Sequence, residues 1–117
     1  MSQNIIRLDQ NARRSRAVIH NGTVYLAGHT ADDRSLDIAG QTRQTLAKID
    51  EMLAAAGTDK SKALMVTIWL SSMKDFAGMN EVYDAWVVPG QQPARCCGQV
   101  EMAAPDIRVE IMVTAAL

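Results

Sequence analysis

Asn21-Gly22 stands between Ala17-Val18-Ile19 and Thr23-Val24-Tyr25-Leu26-Ala27, two runs rich in β-branched residues. Both turn residues tolerate positive φ, and a two-residue loop of that kind twists as its flanking strands do, so the pattern dictates a type I′ hairpin. A shorter apolar run over 3–9, with Ile5, Ile6 and Leu8, predicts a strand ahead of it. The fold therefore starts as antiparallel sheet. Gly28 follows the second hairpin arm, where a missing side chain lets another group approach the backbone.

The remainder alternates between two periods. Ile38, Thr42, Leu46, Ile49, Leu53 and Ala56 recur every three or four residues, which predicts a helix with Asp37 as N-cap and Gly57 just past its end. Gln41, Arg43, Gln44, Lys48 and Glu51 are expected on its polar face. Residues 63–70 are almost continuously apolar, as in a strand buried on both faces. A second helix is predicted from Asp75, through Phe76, Met79, Val82, Tyr83 and Trp86, to Pro89-Gly90. Strands from Arg95 to about Met102 and from Ile107 to Ala115 complete the order β-β-β-α-β-α-β-β. That order gives an α/β (α+β) class: a mixed sheet with right-handed crossovers and both helices on one face. With 117 residues the chain has room for one core, so residues 1–117 form a single domain. The other sheet face would expose apolar side chains from Val24, Leu26, Val66, Ile68, Ile111 and Val113 or their neighbours, which implies an oligomer.

Composition narrows the function. A net charge of −1 gives no electrostatic case for nucleic acid, and Arg13-Arg14-Ser15-Arg16 is the one basic cluster. No leader segment or membrane span is predicted, so a cytoplasmic protein with no membrane partner is expected. Cys96 and Cys97 are adjacent and would point to opposite faces of a strand, so they read as free thiols. Two cysteines and two histidines, His20 and His29, make no metal site, and no glycine-rich phosphate loop is present.

Two charges in strand-like surroundings remain. Arg95, in Pro93-Ala94-Arg95-Cys96-Cys97, can clamp a carboxylate through two parallel hydrogen bonds; the plain alternative is a salt bridge. Glu110, between Val109 and Ile111, can orient or deprotonate water; the plain alternative is an edge or interface charge. If the last two strands formed a simple hairpin, Arg95 and Glu110 would lie about 13 Å apart. Either those strands pair otherwise, or different subunits complete the site.

The stretch from Pro93 through Val109-Glu110-Ile111 resembles the C-terminal signature of the RidA (YjgF) family of reactive-intermediate deaminases. The resemblance covers essentially the whole chain: Leu26-Ala27-Gly28-His29 is similar to a strand ending in Ser-Gly-Gln, and Asp75-Phe76-Ala77-Gly78-Met79-Asn80 to an Asp-Phe-x-x-Val-Asn helix start. Trp86-Val87-Val88 and the short central loop look closest to a YoaB-like branch. The resemblance implies a chorismate-mutase-like fold and a homotrimer with clefts between subunits. It further implies cofactor-free hydrolysis of 2-imino or enamine acids to 2-oxo acids and ammonia, as in 2-iminobutanoate/2-iminopropanoate deaminases. By position, Arg95 would hold the substrate carboxylate with backbone N–H groups of Gly28 and Cys97, Asn80 would lie beside the cleft, and Glu110 would position the water. Two departures stand out: Ala27 replaces the family serine, and Arg14, or Ser15 beside it, stands near the family tyrosine. Both alter pocket shape and polarity, and Arg14 would offer a second anionic ligand group a partner. The alternative is a non-catalytic trimer that binds a small carboxylate; an endoribonuclease finds no support in the charge or the small aromatic content.

Overall fold

The computed structural model describes residues 4–117. Its elements are β1 (Ile6–Gln10), β2 (Ser15–His20), β3 (Thr23–Leu26), α1 (Ile38–Ala55), β4 (Ala63–Leu70), α2 (Phe76–Trp86), β5 (Ala94–Gln99) and β6 (Val109–Ala116). This is the expected order. Gln3, where the first strand was expected to begin, lies outside the described residues. The hairpin forms as its turn residues require: Asn21 and Gly22 take φ of 51° and 77°, and His20 pairs with Thr23 across them.

α1 also follows its sequence signals. Asp37 caps it, accepting the Gly40 N–H at 2.8 Å, and Gly57 leaves it with a φ of 89°. Leu46, Ile49 and Leu53 are fully buried on its inner stripe, each stabilising by roughly 1.5–3 kcal/mol through removal from water. Gln41 departs from the polar face assigned to it: it is wholly buried. Its amide nitrogen donates to the carbonyls of Arg34, Leu36 and Asp106, and its oxygen accepts the Arg108 N–H at 2.9 Å. A fully satisfied amide can be buried without the usual polar penalty, and here it ties the start of α1 to the chain entering β6.

α2 starts at Phe76, but Asp75 does not cap it with its side chain. The Asp75 carboxylate instead takes the Arg108 guanidinium at 2.9 and 3.2 Å, while Ser72 caps the short 3-10 turn that leads in. Gly78 permits the closest approach of the two helices, because a Cβ there would come within 2.8 Å of Ile38 Cγ2.

The sheet order is β1-β2-β3-β6-β4-β5. The last two strands therefore form no hairpin. β6 is inserted between β3 and β4, antiparallel to both, and β5 lies at the edge, parallel to β4. Both strands are shorter than expected at the connection, which runs as irregular chain over 100–108. Directly paired residues share a face, so Val66, Ile68 and Leu70 of β4 sit beside Val113, Ile111 and Val109 of β6, all buried under the helices. Val24 and Leu26 join that core as well. The opposite face belongs to their neighbours: Val18, Tyr25, Met65, Trp69 and Met112. Both helices pack on one face, and Tyr25 on the other is 49% exposed. Among the described residues, no helix is long and apolar enough to cross a membrane.

Candidate active site

Arg95 lies on the edge strand, level with Val66, so its side chain rises on the helix-covered face. There α2 receives it. Nη1 donates to Asn80 Oδ1 at 2.8 Å, and the guanidinium carbon stands 4.8 Å from the Tyr83 ring centroid and 5.9 Å from that of Phe76. Phe76, Asn80 and Tyr83 are spaced four and three residues apart, one stripe of a helix, and so converge on a single guest. Amide and rings orient the cation without neutralising it, and no carboxylate pairs with Arg95 among the described residues. Among the described residues the salt-bridge alternative thus finds no partner within the chain. Cys97 stands two residues on, on the same face and half-buried. Burial pushes its thiol upward, against the pull of the Arg95 charge, and so disfavours a thiolate.

Glu110 is level with Trp69 and lies on the open face. Its carboxylate occupies the space over Gly28: a Cβ built there would overlap Glu110 Oε2 and lie 3.1 Å from its Cδ. The close approach anticipated at Gly28 is therefore made by Glu110 itself. The carboxylate has no hydrogen bond or ion pair among the described residues. Ala27 is half-buried next to Gly28, its N–H donating to the Arg16 carbonyl at 3.0 Å. Arg14, at the sheet end that carries Gly28, is exposed; its guanidinium donates to the Asp9 carbonyl at 3.0 Å and its backbone N–H to Asn11 Oδ1 at 2.9 Å.

Asn80 and Cys97 thus gather around Arg95, while Glu110 lies over Gly28 with Ala27 next in the chain, and Arg14 stands just before β2, but the two charged groups stay apart. Arg95 and Glu110 are separated by two strand spacings and three residues along β4, about 14 Å between backbones, and they project from opposite faces. One chain cannot bring both to one small molecule. A groove of about 510 Å³ between α1 and α2, lined in part by Leu46, Asp50, Lys60 and Trp86, includes neither. Among the described residues no cluster of three or more His, Cys, Asp or Glu could hold a metal ion.

Tyr83 and Phe76 are the partners of Arg95 that sequence reasoning had assigned only to helix packing. The signal was the stripe they share with Asn80. His29 is buried, with Nδ1 2.7 Å from the Ala27 carbonyl.

Known proteins give the arrangement its context. The family model described as Endoribonuclease L-PSP matches residues 5–117. The RutC family protein YoaB of Escherichia coli is 44% identical over 113 residues, spanning 97% of this chain and 98% of its own. A RutC family protein of Haemophilus ducreyi is 42% identical over 97% of both chains. The crystal structure of NMB1025, a member of the YjgF protein family from Neisseria meningitidis, superposes with a TM-score of 0.95 at 41% identity, covering 97% of this chain and 95% of that one. The expected fold and kinship both hold, and the chain belongs to the Endoribonuclease L-PSP family, the YjgF/RidA group.

Proposed function

We propose that this protein hydrolyses reactive 2-imino or enamine acids to 2-oxo acids and ammonia in clefts formed between the subunits of a homotrimer. The observation that carries the reading is the Arg95 guanidinium, oriented by Asn80, Tyr83 and Phe76 yet left without an anionic partner. A planar, desolvated cation of that kind suits the α-carboxylate of a small acid. Glu110 of a neighbouring copy supplies the second function. Its carboxylate has no partner among the described residues of its own chain, lies over a glycine, and faces the side of the sheet that the helices leave open. Apposing that face on another copy's β5 edge brings the two groups together and removes Tyr25 and Trp69 from water.

In that cleft Arg95 and the backbone N–H groups of Gly28 and Cys97 hold the carboxylate, and Asn80 fixes the guanidinium. Glu110 holds a water against the imine carbon and takes its proton as the C–O bond forms. That proton passes to nitrogen to give the carbinolamine; the same carboxylate then carries the hydroxyl proton to nitrogen as the C–N bond breaks, and ammonia leaves with the carbonyl behind. The imine carbon is already electrophilic, so position and one base suffice.

The test uses 2-iminobutanoate or 2-iminopropanoate generated in situ, with ammonia release followed directly and 2-oxobutyrate binding followed by calorimetry. Wild type is expected to accelerate release, Arg95→Ala to lose both binding and release, and Glu110→Ala to keep binding while losing release. Binding without any acceleration by wild type would leave a carboxylate-binding trimer in place of the enzyme. A monomer by light scattering would overturn the shared cleft.

A further inference from the structure

Gly28 admits Glu110 beside a backbone that is paired to β6 at the next residue, His29. From its backbone, His29 exchanges two hydrogen bonds with Ile111, the neighbour of Glu110: N–H to the Ile111 carbonyl at 2.8 Å, and Ile111 N–H to its own carbonyl at 3.0 Å. From its ring, Nδ1 meets the Ala27 carbonyl at 2.7 Å, on the other side of Gly28. The ring is 4% exposed. The carbonyl can only accept, so the proton sits on Nδ1, and the lone pair of Nε2 faces the Arg16 Nε–H at 3.4 Å.

We infer that His29 is the positioning residue of Glu110: its neutral ring, donating from Nδ1 to the Ala27 carbonyl and accepting at Nε2 from Arg16, clamps Ala27, Gly28 and His29 against β6, and a second ring proton loosens that clamp at its Arg16 end. The charges around the ring give the reason. Arg16 on β2 points its guanidinium at Nε2, and Arg14 just before β2 and Lys48 on α1 add positive charge. Their counter-ions are turned elsewhere. Asp9 of β1 pairs with Arg16 Nη1 at 3.0 Å, and Asp32, in the loop after β3, with Lys48 at 2.8 Å. Lys48 also donates to the Thr30 carbonyl at 2.8 Å, so the next residue is tied as well. Glu110 of β6 lies over Gly28 on the opposite, open face of the sheet, away from the ring. A protonated Nε2 would set N–H against N–H where a hydrogen bond now stands. Burial lowers the ring's affinity for that proton below the ordinary 6.5; the Ala27 hydrogen bond opposes this, and Arg16, Lys48 and Arg14 add to the lowering. Around neutral pH the clamp is closed.

This role deepens the deaminase reading and rests on it for its activity readout, so the experiment has two arms. In the first, ring nitrogens are observed by NMR across pH 5 to 8, with His29→Gln assigning the signals against those of His20. The expected wild-type ring carries its proton on Nδ1 and titrates below 6.5, and the Gly28 amide and the Glu110 carboxyl carbon shift with it. In His29→Gln, which keeps one donor and one acceptor but cannot titrate, those shifts are absent. A proton on Nε2, titration at or above 6.5, or Gly28 and Glu110 signals that ignore His29 would each overturn the inference. The second arm is ammonia release. At pH 8, His29→Gln should keep kcat within about threefold, while His29→Ala should lose about tenfold in kcat with KM nearly unchanged. Below pH 6.5 wild type should lose activity along a limb that His29→Gln lacks; an unchanged limb in His29→Gln refutes the role. If wild type releases no ammonia at all, the deaminase reading falls, and the NMR arm still decides the positioning role.

Discussion

Arg95 and Glu110 are both single charges in strands, yet the chain prepares them in contrasting ways. Arg95 is built from side chains: an amide and two rings on α2 fix the guanidinium before any ligand arrives. Glu110 is built from an absence: it has no side-chain partner and depends on a glycine and on backbone pairing for its place. A clamp for a carboxylate must be rigid and desolvated to gain from two parallel hydrogen bonds. A group that handles water must keep its oxygens free for water. The difference in support follows from the difference in work.

The largest expected effect tests whether the rigid half is the binding half. Arg95→Ala should weaken 2-oxobutyrate binding by at least about 100-fold, since a partly desolvated charge pair loses one member. Glu110→Ala should change the same affinity by less than about threefold while turnover collapses. Equal losses of affinity in both variants, measured by calorimetry, would erase the contrast between the two.

Gly28→Ala attacks the other half where it is weakest. The obstructing atoms are the far end of a flexible side chain, so the chain should still fold, with a melting temperature within a few degrees of wild type. The carboxylate, however, must move by an ångström or more. A displacement of that size costs roughly 100-fold in rate where a reacting group is misplaced. Near-normal ammonia release by this variant would mean that Glu110 has no need of its seat over Gly28.

The same contrast explains what the sequence could disclose. Hairpin, helices and the position of β4 were legible because each is written in local period and turn chemistry, but β4 is buried on one face only: Val66, Ile68 and Leu70 are core, whereas Met65 and Trp69 stand on the open side. Gly28 was legible as a close approach, and Arg95 and Glu110 as misplaced charges. The pairing of β5 and β6 was not. A Pro105-Asp106 turn between two β-like runs fits a hairpin locally, and only the tertiary fit of β6 between β3 and β4 decides otherwise. Gln41 was misplaced for a related reason: its four hydrogen bonds reach residues 34, 36, 106 and 108, all of them outside α1 and beyond the reach of helical periodicity. Tyr83 and Phe76 hid in an ordinary apolar stripe, which became a cation's seat only once β5 came beside it.

A smaller effect concerns Arg14, the exposed cation at the Gly28 end. Its guanidinium is held by one carbonyl and by no carboxylate among the described residues. A ligand with a second anionic group would find it from the cleft that Glu110 faces. Arg14→Ala should then weaken a dicarboxylate by about tenfold and a monocarboxylate hardly at all, the size of one charge-assisted hydrogen bond. Parallel losses for both ligands would remove Arg14 from recognition and leave that end with no charge of its own for ligand.

The smallest effect sets the two layers of the molecule against each other through pH. His29, at the sheet end beside the Gly28 seat of Glu110, has its ionisation lowered from 6.5 chiefly by burial. Between its folded value and 6.5 the unfolded chain binds more protons, so this group makes stability rise with pH and then level off above 6.5. Asp50, in the helix layer, accepts the Trp86 Nε1–H with both oxygens at 3.0 and 3.1 Å. Burial raises it above 3.8, against the pull of that hydrogen bond and of Lys60. Here the folded chain holds the proton longer, so stability is fully present below 3.8 and falls as pH climbs through the folded value. Asp50→Asn keeps an acceptor for the indole and removes the charge, so it should raise the melting temperature at pH 7 by about a degree or two, and by nothing at pH 3. His29→Gln should flatten the slope just below 6.5 and leave the acid end alone. Were one substitution to alter both windows, the two layers would be titrating as one unit.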